Sequence, residues 1–368
     1  MPRSSGRMPR PTLHVDPSAV AANIGRIRAA TTSDIMAVVK ADGYGHGPVA
    51  IAQAAVAAGA TWLGITDVDE AVPLRESGLT QPILAWLNPG GVDAALAAHL
   101  RVDVAIGSVD ELRQLIDDAE RLVRVHLQMD TGMSRGGSPL EEWNELLRIA
   151  RDGRSRGRID VVGVMGHLPL ADRADPAANA PAVLRMRQAR DAVLRAGFGP
   201  LMVHLAATAG ALTDAATHFD LVRVGAGLVG IDPSDTVALT GAGTFTAPVV
   251  HSTHVAAGTA VGYGAQFVAP HATHLSVIGV GYADGIPREL SPGASVAIGE
   301  RRHPIVGRVS MDQIVVDTGD AAIARGTVAT VFGPAGPAPT IQEWAHWAGT
   351  IPHTIVTGIG TRIRRSTT

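Results

Sequence analysis

Lys40 closes the apolar, β-branched run Ala37-Val38-Val39 and leads directly into Ala41-Asp42-Gly43-Tyr44-Gly45-His46-Gly47. A lone amine at the end of a buried-looking strand, beside a flexible turn, suits Schiff-base chemistry on a carbonyl compound. An ordinary lysine at a strand edge gives the same local pattern. Further polar residues close other runs of the same kind. Asp130-Thr131-Gly132-Met133-Ser134-Arg135 follows one, His167 ends another, Thr208 lies just past a third, and Arg223 sits in a run opening into Gly225-Ala226-Gly227. A hydroxyl near glycines that let backbone N–H groups approach closely suits a phosphate. A lysine, a phosphate nest and two arginines together suggest pyridoxal phosphate.

The elements that must position these residues alternate. Strand-like runs fall at Ile35–Lys40, Thr61–Thr66, Pro82–Leu87, Val102–Ile106, Leu122–Met129, Val161–His167, Met202–Ala207 and Leu221–Val224. Helical spacing occupies Val49–Ala58, Val92–Leu100, Val109–Ala119, Leu140–Ala150 and Pro181–Ala196. Regular strand–helix alternation implies parallel strands joined by crossover helices. Eight such runs match a closed (β/α)8 barrel of the TIM type, where chemistry gathers at the carboxyl ends of the strands. An open doubly wound sheet is the rival, and the absence of GxGxxG after the first run weighs against it. After residue 238 short strands replace helices: Ala247–Val255, Leu275–Ile278, Ser295–Ile298, Ile305–Val309, Gln313–Thr318 and Val328–Phe332. One helix is expected at Ile341–Ala348, capped by Thr340. The reading is therefore a barrel over 11–238 and a mostly-β domain over 239–368.

The 368 residues are 46% hydrophobic and 18% charged, enough to bury a sizeable core. A net charge of −3, with no basic stripe, gives no reason to expect nucleic acid. No apolar run of about 18 residues predicts a membrane span. The absence of cysteine excludes disulfides and thiol catalysis. The basic start, MPRSSGRMPR, lacks the apolar core of a secretory signal and reads as a frayed tail, with Met8 as an alternative start. A cytoplasmic protein without a metal site is expected.

Six ordered motifs then carry a resemblance over nearly the whole chain. VVKADGYGHG, MDTGMSRGG and FDLVRVGAGLVG lie in the first part, and VGYGAQF, VGYADGIPR and GRVSMDQ in the second. In these the chain resembles the alanine racemase family. The resemblance implies a pyridoxal-phosphate enzyme that takes a proton from one face of a small amino acid and returns it to the other. Lys40 then holds the cofactor and serves the D face, and Tyr263 serves the L face. A phenol with a reference pKa near 10 is a weak base, and the family's polar chain Tyr263–His167–Arg223 favours its phenolate. Arg223 also faces the pyridine nitrogen, to which an arginine cannot yield its proton. Arg135 takes the substrate carboxylate with Met311 and Asp312. Tyr44, Thr208, Gly225, Ala226 and the position of His353 hold the phosphate. Asp172, Arg288, Arg308 and Ile351 line the entrance. Tyr263, Met311 and Asp312 act from the neighbouring subunit of a homodimer.

Plainer readings stand beside these. His167 alone is a core histidine, Arg223 a partner for Asp220, Arg135 a solvated loop residue, Tyr44 a packing residue, and the entrance arginines surface ion pairs. The chain also departs from the family's pattern. Gln128 replaces a frequent lysine, Ala207 an asparagine, Ser310 a frequent cysteine, and His353 a tyrosine. The shorter His353 leaves room for a larger or polar substrate side chain, so alanine is the default substrate and serine or a broader set the alternative. A degenerate cofactor-binding paralogue, a decarboxylase on the same barrel and a non-catalytic cofactor carrier are further readings. The residues after 238 argue against a carrier, and VGYG followed by SMDQ against a decarboxylase.

Overall fold

The computed structural model describes residues 8–367, so most of the expected frayed tail lies outside the described residues. The chain folds as two compact units. One comprises Ser18–Gly43 and Pro48–Thr240, and the other the residues up to Pro17, Tyr44–Gly47 and Gly241–Thr368.

The first unit is an eight-stranded parallel barrel. From its seventh strand its order is Met202–His204, Ile159–Met165, Val123–Gln128, Val102–Ile106, Ile83–Ala85, Trp62–Ile65, Asp34–Val38 and Leu221–Val224. Asp34–Val38 is the first strand, and Leu221–Val224 returns to pair with it, Asp34 opposite Leu221 and Ala37 opposite Val224. The seam to the short seventh strand is made by an Ala207–Arg223 bridge and by Arg223 N donating to Ala206 O at 3.0 Å. The eight expected runs correspond to these strands: Val102–Ile106 and Leu221–Val224 coincide with them, the other six stop short of the expected carboxyl end, and Asp34–Val38 and Ile159–Met165 begin earlier than expected. Near-continuous apolar sequence follows from burial on both faces, as in Ile35–Met36–Ala37, all fully buried. The helix Val109–Asp118 shows the outer layer's logic. Ser108 Oγ caps Glu111 N at 3.2 Å, and Leu112, Leu115 and Ile116 form the buried stripe. Each such side chain contributes about 1.5–3 kcal/mol by leaving water.

The second unit is mostly strand. Its main sheet runs Arg301–Pro304, Ser295–Ile298, Val328–Phe332, Gly243–Val255, Thr12–Val15 and Arg364–Thr367. Thr12–Val15, counted above with the barrel, pairs here with Gly243–Val255 and Arg364–Thr367. The long strand Gly243–Val255 shifts register between Val249 and His251 and goes on to pair with Thr273–Ile278, which pairs with Ile314–Gly319. Phe245 and Phe332 pack edge to face at 5.6 Å. Thr340 caps the helix Ile341–Trp347 as expected, and Trp344 Nε1 ties it to Val331 O at 2.7 Å.

One strand differs from the reading. Ile305–Val309 is not a strand; the strand is Arg301–Pro304, and Ile305 keeps only an isolated bridge to Val316. The turn Gly299-Glu300, with Gly299 at φ 57°, folds Ile298 directly onto Arg301 and so starts the hairpin partner early. Its polar residues suit an edge strand, which apolar patterning does not detect. The helices Pro17–Ala30 and Pro352–Thr357 also lie outside the segments identified from sequence. Among the described residues no helix is long and apolar enough to cross a membrane, and no cluster of three or more metal-ligating residues occurs.

Candidate active site

Lys40 stands at the carboxyl end of the first barrel strand. The chain then enters the left-handed region at Ala41, Asp42, Gly43 and Tyr44, with φ of 52°, 57°, 60° and 54°. A Cβ on Gly43 would lie 3.0 Å from the Pro48 backbone. Glu70 fastens this turn: Oε1 accepts from Ala41 N at 2.9 Å, and Oε2 from Thr66 N at 2.7 Å and Asp67 N at 3.3 Å. The ends of the first two strands are thereby tied to one carboxylate.

The lysine amine lies 5.8 Å from the Trp86 ring centre. It opens on a cavity of about 800 Å³ that Gln128, Arg135 and His167 also line. Burial, then the Arg135 guanidinium, push the Lys40 ammonium below its ordinary range; Glu70 opposes this and Arg223 adds to it. A lysine biased toward its neutral form is a better nucleophile and base. Arg135 rides on a loop organised by Asp130, whose Oδ1 accepts from Gly132 N, Met133 N and Ser134 N at 2.9–3.1 Å. Burial alone would raise that carboxyl; the three donors outweigh it and hold it below its usual value.

His167 Nδ1 faces Arg223 Nη2 at 3.1 Å. Burial, reinforced by Arg223, Arg135 and Lys40, pushes the imidazole down to about 3, so it is neutral at working pH. A guanidinium only donates, so the His167 proton resides on Nε2. Arg223 is buried and makes no ion pair among the described residues; Asp220 instead accepts from Val203 N at 2.8 Å. Arg223 Nη1 donates to His204 Nδ1 at 2.9 Å, and Nη2 to Gly166 O and Leu205 O. Its Nε has no hydrogen-bond partner among the described residues. Burial pushes its pKa down to about 10, which still leaves it protonated. Thr208 Oγ1 lies against the neighbouring turn, accepting from Gly225 N at 3.4 Å and Gly227 N at 3.2 Å, with Ala226 buried between them. A Cβ on Gly227 would reach 2.9 Å from the threonine methyl.

The second unit holds the remaining candidates except Asp172, which lies in the first. Tyr44 and His353 approach each other with ring centres 6.3 Å apart, and burial pushes the Tyr44 phenol up to about 12. A Cβ on Gly45 would sit 1.9 Å from Val356 O, so only glycine lets this loop meet the His353 helix. Tyr263 is 69% exposed and Met311 53%. The loop of Tyr263 lies near Arg308, whose Nη1 is 3.7 Å from a Cβ built on Gly264. Asp312 is held by Arg362, itself clamped by buried Asp284 at 2.8 and 3.1 Å. These carboxylates raise the Arg362 pKa. Of the entrance candidates, Ile351 is exposed, Asp172 lies on an exposed turn, and Arg288 pairs with Glu289 at 2.9 Å.

Glu70, Trp86 and His204 escape a reading of the sequence. Trp86 directly follows the strand Ile83–Ala85, and that position was the available signal. Glu70 carries the local signal of a capping box with Asp67, and His204 carries no motif of its own.

Comparison with known proteins gives the same answer over the whole chain. Residues 15–233 match the family model for the alanine racemase N-terminal domain, and residues 242–367 that for the alanine racemase C-terminal domain. The alanine racemase of Salinispora tropica is 40% identical over 96% of this chain and 97% of its own. The solved alanine racemase of Streptomyces coelicolor has a TM-score of 0.92 at 35% identity, covering 97% of this chain and 98% of that one. The alanine racemase of Bartonella henselae, solved with covalently bound pyridoxal phosphate, has a TM-score of 0.83 at 28% identity, covering 98% and 100%.

Proposed function

Because the chain belongs to the alanine racemase family and is an amino-acid racemase, we propose that it interconverts L- and D-alanine with pyridoxal phosphate at the carboxyl end of its barrel. The observation that carries the reading is the Lys40 amine, depressed by burial and two arginines, opening on a cavity shared with Arg135 and neutral His167.

The donor set fits the cofactor. Lys40 offers an amine for its carbonyl. Arg223 has an unused Nε–H for a pyridine nitrogen, and Thr208 offers a hydroxyl proton for a phosphate beside the Gly225-Ala226-Gly227 turn, whose Gly225 and Gly227 N–H groups, donating here to Thr208 Oγ1, would turn to the phosphate when it binds. Tyr44 and His353 are proposed as further phosphate contacts. When bound, pyridoxal phosphate supplies an electron sink for the substrate's α-carbon.

The chain's own residues do the rest. Arg135 takes the substrate carboxylate in a bidentate fork, aided by Met311 and Asp312 of the partner subunit. Lys40 Nζ carries the proton on the D face, and Tyr263 of the partner subunit on the L face. Neutral His167 presents its Nε2–H toward the phenolate. Arg223 donates without giving up its proton, and so favours reprotonation at the α-carbon over competing outcomes. The exposure of Tyr263 and Met311 supports a role toward a second copy of the chain.

The test is L-alanine in deuterated water with cofactor-loaded enzyme. D-alanine carrying α-deuterium is expected, and Lys40→Ala should lower the rate by about 10²- to 10⁴-fold and remove the visible absorbance of protein-bound cofactor. Retention of alanine's handedness overturns the reading, and carbon dioxide release replaces it with decarboxylation.

A further inference from the structure

Behind Arg223 a row of buried polar groups runs down the barrel to the end opposite the chemistry. His204 Nε2 lies 2.8 Å from His126 Nδ1, and His126 Nε2 lies 3.3 Å from Asp103 Oδ2. Both imidazoles are fully buried and Asp103 is 4% exposed. Asp103 is the second residue of its strand, so it sits at the amino end of the barrel. There its Oδ1 meets half-exposed Arg124 at 3.0 Å. The space is built for this row: a Cβ on Gly163 would lie 2.1 Å from His126 Nδ1, so the strand Ile159–Met165 admits the ring only because residue 163 is glycine. Trp62 closes the other side, edge-on at 5.7 Å.

The donor count leaves one arrangement. Arg223 only donates, so His204 Nδ1 accepts and its proton sits on Nε2. That proton faces His126 Nδ1, which must accept, so His126 also carries its proton on Nε2. This last proton needs an acceptor, and Asp103 is the group that meets it. Four residues thus form a one-directional series from guanidinium to carboxylate.

We propose that Asp103, acting through His126 and His204, is a remote positioning residue of the racemase site that fixes both histidine tautomers and thereby the orientation of Arg223. Without an acceptor at 103, His126 is free to place its proton on Nδ1. His204 Nε2 must then accept, and its own proton moves to Nδ1, where it opposes the Arg223 donor. The relevance of Arg223 to catalysis rests on the function proposed above; the tautomers do not.

The test has two arms. In ¹⁵N-histidine NMR of the wild-type holoenzyme, His126 and His204, assigned by single substitution, should each be neutral with the proton on Nε2. Either ring found with an Nδ1 proton, or doubly protonated, overturns the proposal. Asp103→Leu should shift both tautomer signals and lower kcat about ten- to hundredfold, with a much smaller change in KM. Asp103→Asn, which keeps an acceptor oxygen, should recover most of both, and Arg124→Ala should leave kcat within about twofold. A folded Asp103→Leu enzyme with wild-type kcat overturns the proposal. If that variant does not fold, the wild-type spectrum decides. If both variants lose racemisation while the tautomers stay put, positioning by Asp103 fails and the racemase reading stands. If no variant or wild type racemises alanine but the tautomers are as described, the functional reading fails instead.

Discussion

We propose that substrate choice turns on His353. It stands against Tyr44 in the second unit, where the resemblance places a tyrosine. A shorter ring with a nitrogen at its rim leaves space and a hydrogen-bonding partner for a hydroxymethyl group. His353→Tyr should raise the alanine-to-serine ratio of kcat/KM by about tenfold, as a loss of one small-group fit does. An unmoved ratio would place the determinant elsewhere. His167 and His204 make a second residue-scale prediction. Burial first, with Arg223 next, drives both imidazoles down, His167 to about 3 from an ordinary 6.5. Below about pH 6.5 the unfolded chain takes up protons that the folded one refuses, so stability falls on acidification until the folded values are reached. The slope is up to about 1.4 kcal/mol per pH unit for each histidine. The urea midpoint should drop between about pH 7 and about pH 5, and His167→Gln should flatten the slope. Lys40, Arg135 and His167 are legible in the sequence because each closes or follows an apolar run, and Arg223 because it is the one charge inside its run. His204 and His126 are not, because a histidine inside a strand means nothing until the sheet closes and brings Arg223 and Asp103 to it.

At the scale of elements, the turn after Lys40 carries the strain. Left-handed backbone disfavours non-glycine residues by about 1–2 kcal/mol each, and Ala41, Asp42 and Tyr44 all adopt it. Glu70 offsets this with its three backbone partners. Glu70→Ala should destabilise the protein by about 2–4 kcal/mol and weaken cofactor retention, read by denaturant unfolding and by absorbance after dialysis. A loss below about 0.5 kcal/mol would show that the turn holds itself. The strands of the barrel follow from apolar runs that barely need context. The hairpin at Arg301–Pro304 does not, since two arginines and a proline read as a loop until Gly299-Glu300 folds them onto Ser295–Ile298. The reach of Glu70 to Ala41 was equally hidden, because that one of its three partners lies in a different βα unit.

For the whole molecule, the proposed division of labour between subunits is open to complementation. Lys40→Ala and Tyr263→Phe homodimers should each be nearly inactive. After unfolding and refolding as an equal mixture, half the dimers combine both variants, and each of these holds one intact site. Activity should return to about a quarter of wild type. No recovery would mean that Lys40 and Tyr263 do not meet across an interface. The order of assembly within one chain follows from Thr12–Val15, whose neighbours are Gly243–Val255 on one side and Arg364–Thr367 on the other. On the ribosome, the barrel segment is complete just as the first neighbour emerges and long before the second exists. At translation speeds of about 5–20 residues per second, the opening strand waits roughly 10 to 50 seconds for its first partner. Its second partner comes only after the other strands of the second unit, so a nascent chain stalled between the two still exposes a bare strand edge to chaperones and proteases.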